Sequence, residues 1–177
     1  DSWTAGLVAA GAALPYLFGG YIWDDSSLIV DRLVGLDLVG LLELWSTPVM
    51  AEGPGSAYFR PVALTLLALF GRIGPWAIHL LALVLHGLSA AIIVRECRGL
   101  RWPLLGGLVF ALHPLGSEVL GWCSALPDAL AICLGLLAVR FRTRGALLTF
   151  GLLLLGGFSK ETALLVPLMF ALGRGDW

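Results

Sequence analysis

Apolar residues in this chain come in long unbroken runs, and the few charged positions fall between them. Residues 2–23 and 73–94 carry no charged side chain. At about 1.5 Å per residue, a helix over either run is long enough to cross a hydrocarbon core of about 30 Å. The windows 102–113, 129–139, 145–159 and 162–173 are also charge-free but shorter. A helix of a dozen residues covers roughly 18 Å, so it crosses only beside a neighbour that completes the path. Its polar ends then sit below the membrane surface, where irregular backbone survives only against protein or a water-filled cavity. The pattern predicts an all-α polytopic membrane protein of about six membrane helices, several of them short. Residues 1–177 read as one membrane domain.

Residues 24–72 break the pattern and read as one long loop. Within it, apolar residues at 38, 41, 42 and 45 give Val34–Trp45 a helical stripe, with Asp37 and Glu43 off it. That is the signature of an interfacial helix. Residues 59–70 predict a second, more apolar loop helix, buried or re-entrant. The intervening STPVMAEGPGSA is rich in Pro, Gly and small residues and reads as loop.

Charge then orients the stack. Arg95, Arg98 and Arg101 form one cluster, Arg140, Arg142 and Arg144 another, and Arg174 lies near the end. Placing these in the cytoplasm follows the usual bias of basic residues. The first run then leads outward, and the 24–72 loop lies on the outer face. That face also holds most of the acids, Glu118, Asp128 and Glu161 among them.

Composition narrows the class. The chain is 59% hydrophobic and 13% charged, with a mean hydropathy of +0.92. A soluble domain is about 25% charged, and one of 177 residues could not hide this much apolar surface. Net charge is −1 with no basic run, which excludes nucleic acid as a partner. The three cysteines, Cys97, Cys123 and Cys133, read as small buried apolar residues. The chain opens at Asp1 without a Met and stops after an apolar run, so it is expected to be a piece of a longer protein. High Leu, Ala, Gly and Arg with a single Lys point to a GC-rich, bacterial source and so to the inner membrane.

The expected outer face collects the unusual polar residues. Asp24 and Asp25 follow the first apolar run in WDDSS. Adjacent carboxylates there can bind a divalent cation, deprotonate a hydroxyl, or simply end a helix in solvent. Tyr58 and Arg60 lie in YFRP, where the Arg is either a phosphate clamp or a snorkelling interfacial side chain. His113 and Glu118 lie in ALHPLGSE, and Asp128 follows Pro127. Ionisable groups at membrane depth point to function or to a hydrogen-bonded network between broken helices. Lys160 and Glu161 interrupt the last apolar stretch as FSKET, able to meet an anion or to mark an ordinary corner. His79 and His86, seven apart, read as core histidines. Trp3, Trp23, Trp76 and Trp102 sit at run ends as an aromatic belt. HExxH, GxSxG, GxxxxGK[ST] and GxGxxG are absent.

The order of these features resembles a known family. WDD, the long loop, YFRP, PWAIHLLALVLHGLSA, FALHPLGSEVLGWCSALPDALA and FSKETALLVPL are similar to segments of the GT-C glycosyltransferases that use polyprenyl-phosphate sugars. The likeness is greatest to the transmembrane, tetratricopeptide-containing O-mannosyltransferases, and it runs over nearly the whole chain. It implies the N-terminal part of a GT-C fold. It implies transfer of mannose or another hexose from a polyprenyl-phosphate carrier to a hydroxyl of a protein or glycolipid on the outer face. Asp24 and Asp25 would be catalytic base or metal ligand, Arg60 would contact the carrier phosphate, and Asp128 would help Asp25 hold a metal. Tyr58, His113, Glu118, Lys160 and Glu161 would line the substrate site. Oxygen-rich ligands suit magnesium or manganese, and His113 leaves room for zinc. One position departs: relatives carry a basic residue just before the Asp128 acid, and here it is Pro127. Two other functions fit the same features, a transporter or flippase of lipid-linked sugars and a non-catalytic membrane scaffold.

Overall fold

A computed structural model describes residues 1–50 and 57–174. The chain is helical apart from one two-residue antiparallel pairing, β1 (Val49–Met50) with β2 (Ala57–Tyr58). Nine α-helices lie among the described residues. They are α1 (Ser2–Ala13), α2 (Leu38–Glu43), α3 (Pro61–Gly71), α4 (Pro75–Glu96), α5 (Pro103–Leu112), α6 (Gly116–Gly121), α7 (Leu126–Phe141), α8 (Ala146–Gly157) and α9 (Leu165–Arg174).

Among the described residues two helices are long and apolar enough to cross a membrane: Pro75–Glu96, and Cys123–Phe141, in which a short 3-10 turn leads into α7. The expectation of about six spans is therefore met by two, with shorter apolar helices around them. The second was hidden in the sequence. Asp128 split its apolar run, yet the helix carries Asp128 in its first turn. The first apolar run departs the other way. It leaves α-geometry at Leu14, where a 3-10 turn of five residues carries Pro15, which has no N–H to continue the ladder. The two pieces together reach roughly 28 Å by their helical rises.

The loop from 24 to 72 is more helical than expected. Ser26–Leu33 forms a π-helix, a rarity that periodicity does not foretell. The stripe at 34–45 gives only the six residues of α2, begun by Asp37, whose side chain accepts from the Gly40 N–H at 2.8 Å. Leu38 and Leu42 on it are exposed, as an interfacial helix requires. α3 appears where the second loop helix was expected. Glu52 and the rest of residues 51–56, half of the Pro/Gly segment, lie outside the described residues. Two loop arginines, Arg32 and Arg72, belong with Arg60 and Lys160 in the minority of basic residues away from the clusters. Arg72 donates to the carbonyls of Val34 and Leu36.

Small residues set the packing. Ala5, Ala9, Ala90, Val94 and Ala111 form a buried seam joining α1, α4 and α5. At its centre Gly6 faces Gly87, and a Cβ on Gly87 would stand 3.1 Å from the Gly6 carbonyl oxygen. Such close backbone approach is how helices associate where lipid tails compete with side chains. Gly87→Leu is expected to wedge α1 from α4 and cost about 1–3 kcal/mol. Unfolding of the detergent-solubilised protein measures it. A larger cluster unites the π-helix, α3, α4 and α7 through Ile29, Leu64, Leu67, Ile78 and Leu126. Outside, Leu147 and Phe150 on α8 and Phe18 after α1 are strongly exposed, a surface that suits lipid or further helices.

The charges separate by end of this packing. Arg95, in the last turn of α4, donates to Ser2 Oγ at the start of α1 and lies over the Trp3 ring. Glu96 pairs with Arg140 and Arg142 at the end of α7. The opposite end holds the start of α7, the corner after α8 and the first loop.

Candidate functional site

The WDD turn is anchored by its second acid. Asp25 is fully buried, and its carboxylate accepts four hydrogen bonds. Oδ1 takes the N–H and the hydroxyl of Ser124, at 2.7 and 2.6 Å. Oδ2 takes the N–H groups of Ile22 and Cys123, at 3.0 and 3.3 Å. Asp25 thus ties the first loop to the turn that opens α7, and a buried carboxylate so satisfied has little capacity left for a ligand.

Asp24 is different in kind. It is exposed, and its Oδ1 accepts the indole N–H of Trp122 at 2.9 Å. Its other oxygen has no partner among the described residues. Trp23, just before it, has φ +50°. A bulky residue in the left-handed region stores strain on the order of 1–3 kcal/mol and persists only where its surroundings enforce it. The Asp25 bond to the adjacent Ile22 N–H is that enforcement. Trp23 then meets Trp122 edge to face, ring centroids 5.3 Å apart.

The YFRP segment approaches from the far side of the loop. Burial raises the Tyr58 phenol above its ordinary value, Arg60 opposes the rise, Asp24 adds to it and Arg32 opposes it. Arg60 stacks over that ring with its Cζ 5.1 Å from the centroid. Phe59 and Trp45 both pack edge-on against Phe158, which fixes the segment against the corner after α8. That corner supplies two carboxylate–cation pairs. Arg60 Nη2 reaches Glu161 at 3.1 Å, and Lys160 Nζ reaches Asp128 at 2.6 Å. Glu161 is held below the usual carboxylate range, first by its own backbone N–H, with Arg60 and Lys160 adding. Arg60 keeps one donor in reserve: its buried Nε–H has no partner among the described residues.

The expected residues thus divide. Asp24, Tyr58, Arg60, Asp128, Lys160 and Glu161 gather at one end of the helices, but both cations already hold a carboxylate. His113 and Glu118 share no described hydrogen bond or ion pair with this group. His113 ends α5, accepts the Leu115 N–H and lines an apolar cavity of about 430 Å³ between α4, α5, α6 and α7. Glu118 is exposed in the first turn of α6. The metal pair expected of Asp25 and Asp128 does not fit this arrangement. Asp25 is saturated by protein donors and Asp128 is paired with Lys160. No three His, Cys, Asp or Glu among the described residues converge as ligands. His79 and His86 are core histidines as expected, bonded to the carbonyls of Leu120 and Ala111.

Trp122 and Ser124 join the site without having been singled out in the sequence. Trp122 and Ser124 lie about a hundred residues from the acids they bind. GWCS alone carries no signal for that meeting.

No family model matches the chain, and no solved structure does. Three curated proteins are similar over part of it. The protein O-mannosyl-transferase TMTC3 of Mus musculus is 30% identical over 112 residues, 58% of this chain and 12% of that protein. The protein O-mannosyl-transferase tmtc2 of Xenopus laevis is 32% identical over 83 residues, 43% of this chain and 10% of its own length. The Mus musculus TMTC2 is 29% identical over 83 residues. The chain spans about a tenth of the length of the curated relatives it matches, and over that tenth it is similar to proteins named as glycosyltransferases.

Proposed function

We propose that this chain is part of an integral-membrane GT-C glycosyltransferase. It moves a hexose, mannose by the names of its relatives, from a polyprenyl-phosphate carrier to a protein hydroxyl on the outer face. The observation that carries the reading is a carboxylate and a guanidinium at one end of the apolar helices. Asp24, held by the Trp122 indole, and Arg60, stacked on Tyr58 and paired with Glu161, lie at the same end of the helices. An exposed base and a phosphate-competent guanidinium at one end of apolar helices suit a donor with a greasy tail and an anionic head.

In this reading Asp24 takes the proton of the acceptor hydroxyl as its oxygen bonds to the anomeric carbon. The bond from that carbon to the phosphate oxygen breaks, and the lipid phosphate departs with the electron pair. It is already a good leaving group, so no strong acid is needed. Arg60 turns its Nη2 from Glu161 to the phosphate. That exchange is cheap, because Glu161 is 71% exposed and exposed ion pairs contribute at most about 1 kcal/mol. Lys160 stays with Asp128 and supports the corner electrostatically.

The test is sugar transfer by the full-length protein in lipid nanodiscs, from a lipid-phosphate hexose to a Ser/Thr peptide. Arg60→Ala is expected to raise the donor KM about tenfold with kcat near normal. A fall in kcat alone removes Arg60 from phosphate binding, and no transfer by the intact protein removes the whole assignment.

A further inference from the structure

We infer that Trp23 and Trp122 form an aromatic platform for a pyranose ring beside Asp24. The inference rests on the glycosyltransferase reading and names the place where the transferred sugar lies. Three observations carry it. Trp23 is 75% exposed, yet its backbone is held in the left-handed region at φ +50°. Among the described residues it is the one non-glycine held so. A tryptophan that merely anchors a helix at the membrane surface needs no fixed backbone, whereas one that presents a ring to a ligand does. The Trp122 ring stands at 79° to it, so the two indoles form a corner. The Trp122 N–H grips Asp24 Oδ1, which sets the carboxylate at the rim of that corner.

The chemistry matches a sugar. A pyranose has a face of C–H groups that rests on an indole, and an edge of hydroxyls that donate to a carboxylate. Aromatic side chains bury such amphipathic partners while leaving their polar edge free to bond. A hexose lying on Trp23 meets the corner wall at Trp122 and turns its edge towards Asp24. Its ring is thereby oriented while its carrier phosphate reaches towards Arg60. Trp23 is a positioning residue here and takes no part in the proton transfer.

The experiment uses the full-length protein in nanodiscs, with methyl α-mannopyranoside as the probe. Saturation-transfer NMR is expected to label the ring protons of the probe in the wild type. Trp23→Ala should lose that labelling at least fivefold, and Trp23→Phe should keep a measurable part of it. Trp122→Phe keeps a ring but loses the N–H, so it should retain labelling while slowing transfer. Quenching by brominated lipids checks that each variant sits at its wild-type depth. Equal labelling of wild type and Trp23→Ala overturns the platform, as does a wild type that does not label the probe. Transfer that persists with no ring contact removes the platform alone. Ring contact without transfer from a lipid-phosphate hexose supports the platform and removes the transferase reading.

Discussion

Replacing Asp24 by Asn is expected to lower kcat for sugar transfer by about 10²–10⁴-fold, the contribution of a well-placed general base. The substitution keeps the volume and leaves a carbonyl oxygen to accept the Trp122 N–H, so the fold should survive. The exposed position argues the same way, since surface changes rarely cost more than about 0.5 kcal/mol. The decisive measurement is single-turnover transfer at saturating donor, with unfolding followed in parallel. A variant that folds normally and transfers at the wild-type rate would remove Asp24 from the chemistry.

Asp25, its neighbour, should fail in the opposite manner. Asp25→Ala strands the N–H groups of Ile22, Cys123 and Ser124 in a dry site. Each unsatisfied group costs about 1–3 kcal/mol, so a loss of about 3–5 kcal/mol is expected. Ser124→Ala removes only the hydroxyl bond and should cost about 1 kcal/mol. Thermal or denaturant unfolding separates the two, and activity should follow the folded fraction. If Asp25→Ala is as stable as wild type but inactive, its role lies in the reaction instead.

The contrast between these two acids marks the limit of what the sequence carries. The sequence places both at the end of an apolar run, and it picks out YFRP and FSKET as polar ends. It cannot rank Asp24 against Asp25, because neighbours in sequence share every local signal. What separates them is the turn at Trp23 and a pair of residues about a hundred positions away. α7 shows a related limit. A charge-free window stops at Asp128, yet that acid sits in the first turn of α7, where a carboxylate favours the helix N-terminus, and it pairs with Lys160. The pairing of Arg60 with Glu161 is long-range as well. Charge sorting survived best. Arg95, Arg140 and Arg142 meet at one end of the helices and the candidate acids at the other, because like ends of packed helices must share a solvent.

The Asp25 knot also bears on the order in which the molecule is built. Its bonds to Cys123 and Ser124 join positions 98 and 99 residues apart. The chain is made from its N-terminus, so α1 and α4 are present before the turn at Cys123 and Ser124. The helices α1 and α4 can pair through Gly6 and Gly87 before that closure. The local bond from the Ile22 N–H can form at once, but until Trp122 and the turn that opens α7 arrive, Asp25 lacks its three other donors and Asp24 has no indole to hold it. A chain made only as far as α4 would therefore carry both acids without the partners that set them apart, and would gain that distinction only when the segment from Trp122 to Ser124 had docked.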